Sequence, residues 1–313
     1  IPVVDTKGWR LSVGGRVRRE LSVTLDDIRL RPRRSLAVTM ECAGNGRALL
    51  TPRPISQPWL LEAVSTAEWT GTPLRHLLEE AALLDGAVEV LFTGLDRGIE
   101  GGVEQTYQRS LPVEEAMREE VLLAYEINGQ PLPPQHGFPL RLVVPGWYGM
   151  TNVKWLDAIT VLERPFDGHQ QAVAYRFRST DDDVVGVPVT RMAPRALMVP
   201  PGIPDFMTRR RFIEMASVTI QGRAWSGSAQ VTRVEFSADR GATWSDTELG
   251  KQVSPWAWCP WSYTWEPPGP GEYDLACRAT DGAGNEQPLD PPWNVGGYAN
   301  NSPQSIPVTV REA

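Results

Sequence analysis

Cys42 is the residue whose type and setting are best suited to metal or redox chemistry. It directly follows the apolar run at positions 36–40, which predicts a strand, and it belongs to the segment MECAGNGR at 40–47. The glycines at 44 and 46 would let the backbone turn closely around a bulky ligand, and Arg47 could favour the thiolate and bind an oxyanion. A lone cysteine after a strand is more often a buried core thiol, so these residues alone leave both interpretations open.

Other familiar catalytic motifs are missing or incomplete. Gly44 and Gly46 lack the third glycine of a dinucleotide-binding loop, because position 49 is leucine. No Gly-x-Ser-x-Gly segment of a serine hydrolase occurs, and no histidine after Cys42 has a context that suggests the base of a thiol protease. The three cysteines and three histidines are widely spaced, which argues against a disulfide framework and against zinc, iron–sulfur or polyhistidine sites.

Length, charge and hydropathy limit the class of protein further. At 313 residues the chain is too long for one small core and suits two domains. A net charge of −7 without a dense basic block argues against a nucleic-acid partner. The chain contains no apolar run of about eighteen residues, so we predict no membrane-spanning helix. The first residues are neither basic nor continuously apolar, so we expect no signal peptide within this chain. The compartment, periplasm or cytoplasm, stays open.

Strands and short helices would have to position Cys42. The segment 72–84 predicts a helix with Thr72 as N-cap and Pro73 in the first turn, because its leucines recur at helical spacing. Apolar runs bounded by Gly or Pro predict strands at 9–13, 36–40, 88–92 and 140–144. The first two-thirds of the chain should therefore mix helices and strands.

The last third of the chain has a different pattern. Short alternating strands separated by turn residues follow an acidic, then proline-rich stretch at 180–211, and they are typical of an immunoglobulin-like β-sandwich. We therefore predict an α+β fold: a mixed α/β catalytic domain at 1–205, followed by an immunoglobulin-like β-sandwich at 206–313. Cys259 and Cys277 could bridge its sheets, but their odd spacing and the Trp and Pro residues around Cys259 favour free buried thiols.

Six segments in a fixed order resemble the sulfite oxidase family of molybdenum enzymes, which includes assimilatory nitrate reductases. The segments are MECAGNGR at 40–47, STAEWTGTPL at 65–74, LLAYEINGQPL at 122–132, HGFPLR at 136–141, PGWYGMTNVKWL at 145–156 and AWSG at 224–227. The resemblance runs nearly from one end of the chain to the other. It implies a mixed α+β cofactor-binding domain followed by a β-sandwich that commonly forms the dimer contact, so we expect a homodimer.

The resemblance also implies a cofactor and the residues that bind it. Molybdenum would be held by the two dithiolene sulfurs of one molybdopterin (pyranopterin) and by the thiolate of Cys42, a soft ligand that suits such a metal. His136, Arg141 and Lys154 fall where the family binds the pterin phosphate, and Asp96 falls where it contacts the pterin. Arginine and lysine are ordinary phosphate partners. Without the resemblance, Arg141 would be predicted on a solvent-facing strand and His136 in a turn.

A substrate pocket follows from the same resemblance. Arg47 matches an arginine that contacts the anionic substrate, Trp59 a tryptophan that lines the pocket, and Tyr175 a tyrosine beside the metal. Without the resemblance, both aromatic residues would be predicted in a core. The family's F-x-R-N-H segment, which carries an arginine and a histidine of the site, would directly precede Ile1. Gly296 stands where sulfite oxidases place a substrate arginine, which makes the pocket less positive and weighs against high sulfite affinity.

Together these features predict a molybdenum-dependent enzyme that oxidises sulfite to sulfate. No haem, flavin or nicotinamide motif occurs, so the electrons would pass to an external acceptor such as a cytochrome c, or directly to oxygen. A reductase of the same family, acting on nitrate or a sulfoxide, is an alternative that Gly296 allows. A second alternative is a non-catalytic binding module with a degenerate cofactor site, against which the intact Cys42 and Lys154 argue.

Overall fold

The computed structural model describes residues 1–100 and 102–312. These residues form two compact units. The first comprises Ile1–Ala43, Ser65–Thr190 and Asn294–Tyr298, and the second comprises Gly44–Val64, Arg191–Trp293 and Ala299–Ala313. A single boundary after residue 205 would place residues 44–64 in the first domain and residues 294–298 in the second. In the structure, residues 44–64 belong to the second unit and residues 294–298 to the first. The boundary between the two predicted domains stays a prediction.

Strands make up most of the first unit. Their bounds are β1 Leu11–Gly15, β2 Leu21–Val23, β3 Arg34–Glu41, β4 Val64–Pro73, β5 Glu89–Glu100, β6 Val103–Pro112, β7 Leu122–Ile127, β8 Gln130–Pro131, β9 Arg141–Val143, β10 Leu156–Leu162, β11 Arg176–Phe177 and β12 Val187–Pro188. One sheet has the order β2-β1-β10-β5-β6, a second has the order β3-β4-β7-β8 with β9 also paired to β7, and β11 pairs with β12. β1 runs parallel to β10, and the other pairs of the first sheet are antiparallel.

The helices are few and short in the part of the chain described. They are α1 Leu25–Arg29, α2 Arg75–Ala81, α3 Val113–Ala116 and α4 His169–Ala172, with single 3-10 turns at Arg47–Leu49, Pro134–His136 and Gly149–Thr151. The helix predicted at 72–84 is shorter than expected, and the prediction of Thr72 as its N-cap is wrong. Thr72 and Pro73 are the end of β4, where they pair with Leu123 and Leu122, so the helix begins only at Arg75.

An apolar core fixes the sheets of the first unit against α2. Leu11 of β1, Leu77 of α2, Phe92 of β5, Leu123 of β7 and Leu156 of β10 are all completely buried. Each such side chain contributes roughly 1.5–3 kcal/mol relative to an exposed position. The strands that carry the candidate site residues are therefore held on a rigid support.

The second unit consists of two sheets. Its strands are β13 Arg195–Met198, β14 Ile203–Pro204, β15 Arg211–Glu214, β16 Val218–Trp225, β17 Val231–Ser237, β18 Ser245–Asp246, β19 Glu248–Leu249, β20 Cys259–Trp265, β21 Gly271–Asp281 and β22 Gln304–Arg311. The sheet orders are β13-β16-β20-β19 and β14-β15-β22-β21-β17-β18. Ile220 and Trp261 of one sheet share a core with Leu275 and Val308 of the other.

The architecture bears on the predicted fold class, on Cys259 and Cys277, and on the length and hydropathy of the helices. The chain mixes helix with a larger share of strand, which confirms the coarse fold class. Cys259 and Cys277 are buried free thiols, which confirms the prediction against a disulfide. Among the described residues, none of the helices is both long enough and apolar enough to cross a membrane.

Candidate cofactor and active site

The end of β3 presents Cys42 on a tightly packed backbone. Glu41 and Ala43 on either side are 2% and 1% exposed, whereas Cys42 itself is exposed and its thiol is free. Gly149 lies against this backbone, since a Cβ at position 149 would be 3.2 Å from the carbonyl oxygen of Glu41. The core-thiol interpretation of Cys42 is therefore wrong. A thiol that is accessible on a fixed backbone is suited to bind a metal.

The two glycines after Cys42 are required by neighbours within the second unit. A Cβ at Gly44 would lie 2.7 Å from three guanidinium atoms of Arg47, so this guanidinium packs directly on the glycine. Gly46 has a φ of 85°, and a Cβ there would lie 2.7 Å from the carbonyl oxygen of Asn300. The side-chain amide of Asn300 also donates to the Gly46 carbonyl at 2.7 Å. The absence of a side chain at these two positions therefore allows the loop to hold Arg47 where it lies.

Arg47 and Trp59 lie on one loop of the second unit. Arg47 is 6% exposed, and its Nη1 donates to the carbonyl oxygen of Gln57 at 3.2 Å. The backbone N–H of Ala48 donates to the carbonyl oxygen of Trp59 at 3.1 Å. Trp59 is 47% exposed, so it is not a core residue. The substrate contacts of both residues stay a prediction.

His136, Arg141 and Lys154 come together in the first unit around Gly137. A Cβ at Gly137, where φ is 103°, would lie 3.0 Å from Cβ of Lys154 and 3.2 Å from Cβ of Arg141. Burial, and then the charges of Arg141 and Lys154, lower the pKa of His136. Burial and the charge of Arg141 also lower the pKa of Lys154. Because these groups disfavour each other's positive charge, an anion among them would be strongly favoured.

Arg141 is buried without a carboxylate partner among the described residues. Its Nη1 donates to the carbonyl oxygen of His136 and its Nη2 to that of Asn152, each at 3.1 Å. The guanidinium lies 4.5 Å from the ring centre of Trp69. Burial lowers the pKa of Arg141 to about 10. The alternative of a solvent-facing strand residue is wrong, and a buried guanidinium of this kind could hold a phosphate.

Asp96 lies in a bulge of β5. The pairing of β5 with β6 shifts register between Thr93 and Arg97, which releases Asp96 from the ladder. Within the described residues its Oδ1 is buried and has no hydrogen-bond partner. Burial raises the pKa of its carboxyl group, against the smaller effects of the backbone N–H of Asp96 and the charge of Lys154. A cavity of about 260 Å³ adjoins it, lined in part by Tyr107. A ligand N–H donor at this oxygen would therefore be favoured.

Tyr175 is held close to Cys42 in the first unit. Its φ of 49° lies in the left-handed region, which bulky residues seldom adopt. Its ring centre is 5.3 Å from that of Tyr298, and the guanidinium carbon of Arg109 is 5.7 Å from the Tyr175 ring centre. Burial, followed by Tyr298 and the negative charge of Cys42, raises the pKa of Tyr175 to about 12. Its hydroxyl therefore stays a hydrogen-bond donor at neutral pH.

Tyr298 fills the space next to Gly296. A Cβ at Gly296 would lie 2.2 Å from Cε2 of Tyr298. Asn294 fixes the turn, because its Oδ1 accepts from the backbone N–H of Tyr298 at 2.9 Å and its Nδ2 donates to the Tyr298 carbonyl at 2.8 Å. An arginine at position 296 would thus require the ring of Tyr298 to move.

Arg109 is a residue of this region that the sequence analysis missed. It lies on β6, where Tyr107, Arg109 and Leu111 share one face, and it is 2% exposed. An arginine between two apolar residues at a spacing of two predicts an inward-facing charge, and this pattern could have identified it.

The side chains of the first unit fit the predicted cofactor. In residues 1–100 and 102–312, no three His, Cys, Asp or Glu side chains are grouped so that they could hold a bare metal ion. The available groups are instead one exposed thiol, a cationic cluster around Gly137 and an unsatisfied oxygen of Asp96. This set suits a metal that brings most of its ligands on a phosphorylated organic carrier.

Comparison with known proteins identifies two family domains in the chain. A model described as the oxidoreductase molybdopterin binding domain matches residues 1–170, and one described as the Mo-co oxidoreductase dimerisation domain matches residues 199–311. The solved structure of the sulfane dehydrogenase SoxCD from Paracoccus pantotrophus superposes with a TM-score of 0.82 at 26% identity, covering 100% of this chain and 80% of that chain.

Curated relatives include both oxidases and reductases. The mitochondrial sulfite oxidase of Mus musculus is 37% identical over 99% of this chain, which spans 59% of the mouse protein's length. The NADH nitrate reductase of Lotus japonicus is 33% identical over 96% of this chain, and the match covers 36% of that protein. The chain therefore belongs to the sulfite oxidase family of molybdopterin oxidoreductases, whose cofactor is molybdenum held by molybdopterin.

Proposed function

We propose that this protein oxidises sulfite to sulfate with a molybdenum–molybdopterin cofactor. The observation that carries the proposal is the exposed thiol of Cys42, which lies between the buried residues Glu41 and Ala43 in the same unit as Tyr175. The similarity to mouse sulfite oxidase over 99% of the chain supports sulfite as the substrate. When bound, the cofactor supplies two-electron redox chemistry that no side chain provides.

The first unit would bind the cofactor through residues of three kinds. Cys42 would ligate the molybdenum, and the buried backbone on either side would keep its sulfur in one position. His136, Arg141 and Lys154 would bind the phosphate, which would relieve their mutual repulsion. Asp96 would accept a hydrogen bond from the pterin at the oxygen that has no other partner.

The substrate would be recognised by charge and by hydrogen bonds. The protonated hydroxyl of Tyr175 would donate to an oxygen of the anion, because burial keeps its pKa at about 12. Arg47 would contact the anion and Trp59 would line the pocket, as the family resemblance implies. Because position 296 is glycine, the pocket would lack one cation that the family resemblance places there in sulfite oxidases.

Reduction of nitrate is a second candidate function, with a sulfoxide as the related variant. Gly296 favours it, since the family resemblance implies that nitrate reductases also lack an arginine at that position. The relationship to the nitrate reductase of Lotus japonicus, at 33% identity, is compatible with either direction of oxygen transfer. A non-catalytic module is not retained, because the chain keeps Cys42 and the whole cationic cluster.

Assembly and electron transfer are also proposals. The match to a dimerisation domain over residues 199–311 supports a homodimer, and the electrons would leave to an external acceptor such as a cytochrome c. We propose a catalytic domain at 1–205 and an immunoglobulin-like β-sandwich at 206–313, which the shared core of two sheets supports.

Metal analysis followed by competing assays tests the proposed function. Purified protein should contain molybdenum and should oxidise sulfite with ferricyanide or cytochrome c as acceptor, faster than it reduces nitrate with a chemically reduced dye. Cys259→Ser, which alters a buried thiol of the second unit, should keep this activity. Molybdenum-loaded protein that reduces nitrate and leaves sulfite unchanged would contradict the assignment of sulfite.

A further inference from the structure

We propose that Arg109 supplies the fixed positive charge that favours an anionic substrate beside Tyr175. The inference rests on the proposed function, because it assumes that the small anion reacts near Cys42 and Tyr175. Arg109 would thereby take over an electrostatic role that position 296 cannot fill in this chain.

Arg109 is buried in an unusual way for a charged residue. Its side chain is 2% exposed, and its Nε is buried with no hydrogen-bond partner in the part of the chain that the structure describes. Nη1 donates to the carbonyl oxygen of Gln170. Burial has the largest effect on the pKa of Arg109, followed by Tyr107, Tyr175, Tyr298 and the like charge of Arg176.

A charge buried in this way is costly for the fold. Burial lowers the pKa of Arg109 because the charged form loses its hydration, and the contact with the Gln170 carbonyl compensates only in part. Leucine or methionine would fill the same space without that cost. The arginine therefore requires another explanation, and a transient anion close to it would supply one.

Arg109 also lies close to Tyr175. The guanidinium carbon of Arg109 is 5.7 Å from the ring centre of Tyr175, which the proposed function places beside Cys42. All three residues belong to the same unit. Because solvent screens a buried charge poorly, Arg109 can attract an anion over several ångströms without touching it.

Tyr298 occupies the space beside Gly296. The ring of Tyr298 fills the space that a side chain at position 296 would need, so this position cannot present a cation. Tyr298 also packs on Tyr175 and contributes to the surroundings of Arg109. Arg109 on β6 would therefore make the region positive in place of a cation at position 296, where Tyr298 occupies the space. The ligand class is a small oxyanion, sulfite or nitrate.

The proposal is tested by removing the charge while keeping the packing. Arg109→Gln keeps a polar side chain of hydrogen-bonding type but has no charge, and Arg109→Lys restores the charge. Arg31→Met is the matched control, because it removes a partly buried guanidinium of the same unit that is already paired with Glu80 at 2.5 Å. The binding of sulfate and of nitrate to molybdenum-loaded protein would be measured by calorimetry, and KM and kcat by steady-state assay.

We expect Arg109→Gln to weaken anion binding and raise KM by about tenfold, the scale for loss of one poorly screened charge, with kcat changed much less. Arg109→Lys should recover most of the affinity, and Arg31→Met should match the parent protein. The effect should shrink at high ionic strength.

Other results would overturn the proposal. Unchanged anion affinity in folded, molybdenum-loaded Arg109→Gln protein would show that the charge does not act on the substrate. An Arg109→Gln protein that fails to fold, or an Arg109→Lys protein as weak as Arg109→Gln, would assign the residue a structural role instead. If the parent protein does not oxidise sulfite, the proposed function fails, while the affinities for sulfate and nitrate still decide the role of Arg109.

Discussion

Replacing Arg141 with methionine would separate the cost of a buried charge from its use. Arg141 is 6% exposed, and burial lowers its pKa from the ordinary arginine value to about 10. At about 1.4 kcal/mol per pKa unit, this difference means that the charge destabilises the cofactor-free fold by about 3 kcal/mol. The pKa is lower in the folded chain, so this penalty is present at every pH below about 10 and disappears only as the pH rises through the interval between the two values.

Two hydrogen bonds offset most of that penalty. The guanidinium donates to the carbonyl oxygens of His136 and Asn152, both at 3.1 Å, and each bond contributes about 1–1.5 kcal/mol. We therefore expect Arg141→Met to change the free energy of unfolding of the cofactor-free protein by less than about 1 kcal/mol. Cofactor affinity should fall by about tenfold or more, because a charge-assisted bond to phosphate contributes roughly 1.5–3 kcal/mol.

Urea unfolding of the cofactor-free protein and molybdenum content after purification measure the two effects. Arg31→Met serves as the control, since it removes a partly buried guanidinium that is already paired. A loss of more than about 2 kcal/mol of stability with full molybdenum content would refute the reasoning, because it would mean that Arg141 supports the fold and does not bind the phosphate.

Three further changes follow from the same geometry. Gly296→Arg alone should destabilise the protein and should not lower KM for sulfite, because its Cβ would lie 2.2 Å from the ring of Tyr298. Gly296→Arg combined with Tyr298→Val should lower KM by roughly tenfold in steady-state assays. A lower KM in the single variant would show that the ring of Tyr298 moves easily. Asp96→Asn should remove a pH-dependent loss of apoprotein stability. Because the pKa of Asp96 is raised in the folded chain, stability is lost as the pH rises from the pKa of the unfolded chain through that of the folded chain. Urea unfolding at several pH values measures this loss, and identical pH profiles of the two proteins would count against it. Gly44→Ala should raise KM for sulfite severalfold at unchanged molybdenum content, because its Cβ would lie 2.7 Å from the Arg47 guanidinium, and unchanged kinetics would separate Arg47 from the substrate.

Features set by neighbouring residues could be predicted from the sequence. The apolar run before Cys42 forms β3 and ends at Glu41, so the cysteine was correctly placed after a strand. The free state of Cys259 and Cys277 also followed from their spacing and surroundings. Local patterns of this kind depend on a few adjacent positions and need no knowledge of the tertiary structure.

Features set by distant residues could not be predicted. Thr72 has the type of a helix N-cap, but it pairs with Leu123 in a sheet, and this long-range pairing overrides the local preference. The exposure of Cys42 and the deep burial of Arg141 likewise depend on contacts across the fold.

The substitution at Gly296 shows the same limit within the candidate site. The family resemblance implies the loss of a cation at this position, and only the structure shows that Tyr298 fills the space beside it. The approach of Arg109 to Tyr175 joins residues 66 positions apart, which no local pattern reveals.

X-ray absorption at the molybdenum edge tests the central claim most directly, because it counts the sulfur atoms around the metal. The parent protein and Cys42→Ser would be compared, with Cys259→Ser as the control thiol variant. Serine is a harder and less readily ionised ligand, so we predict one sulfur fewer per molybdenum in Cys42→Ser, no change in Cys259→Ser, and sulfite oxidation in Cys42→Ser below a few per cent of the parent rate. An unchanged sulfur count in Cys42→Ser would contradict the assignment of Cys42 as the protein's ligand to the metal.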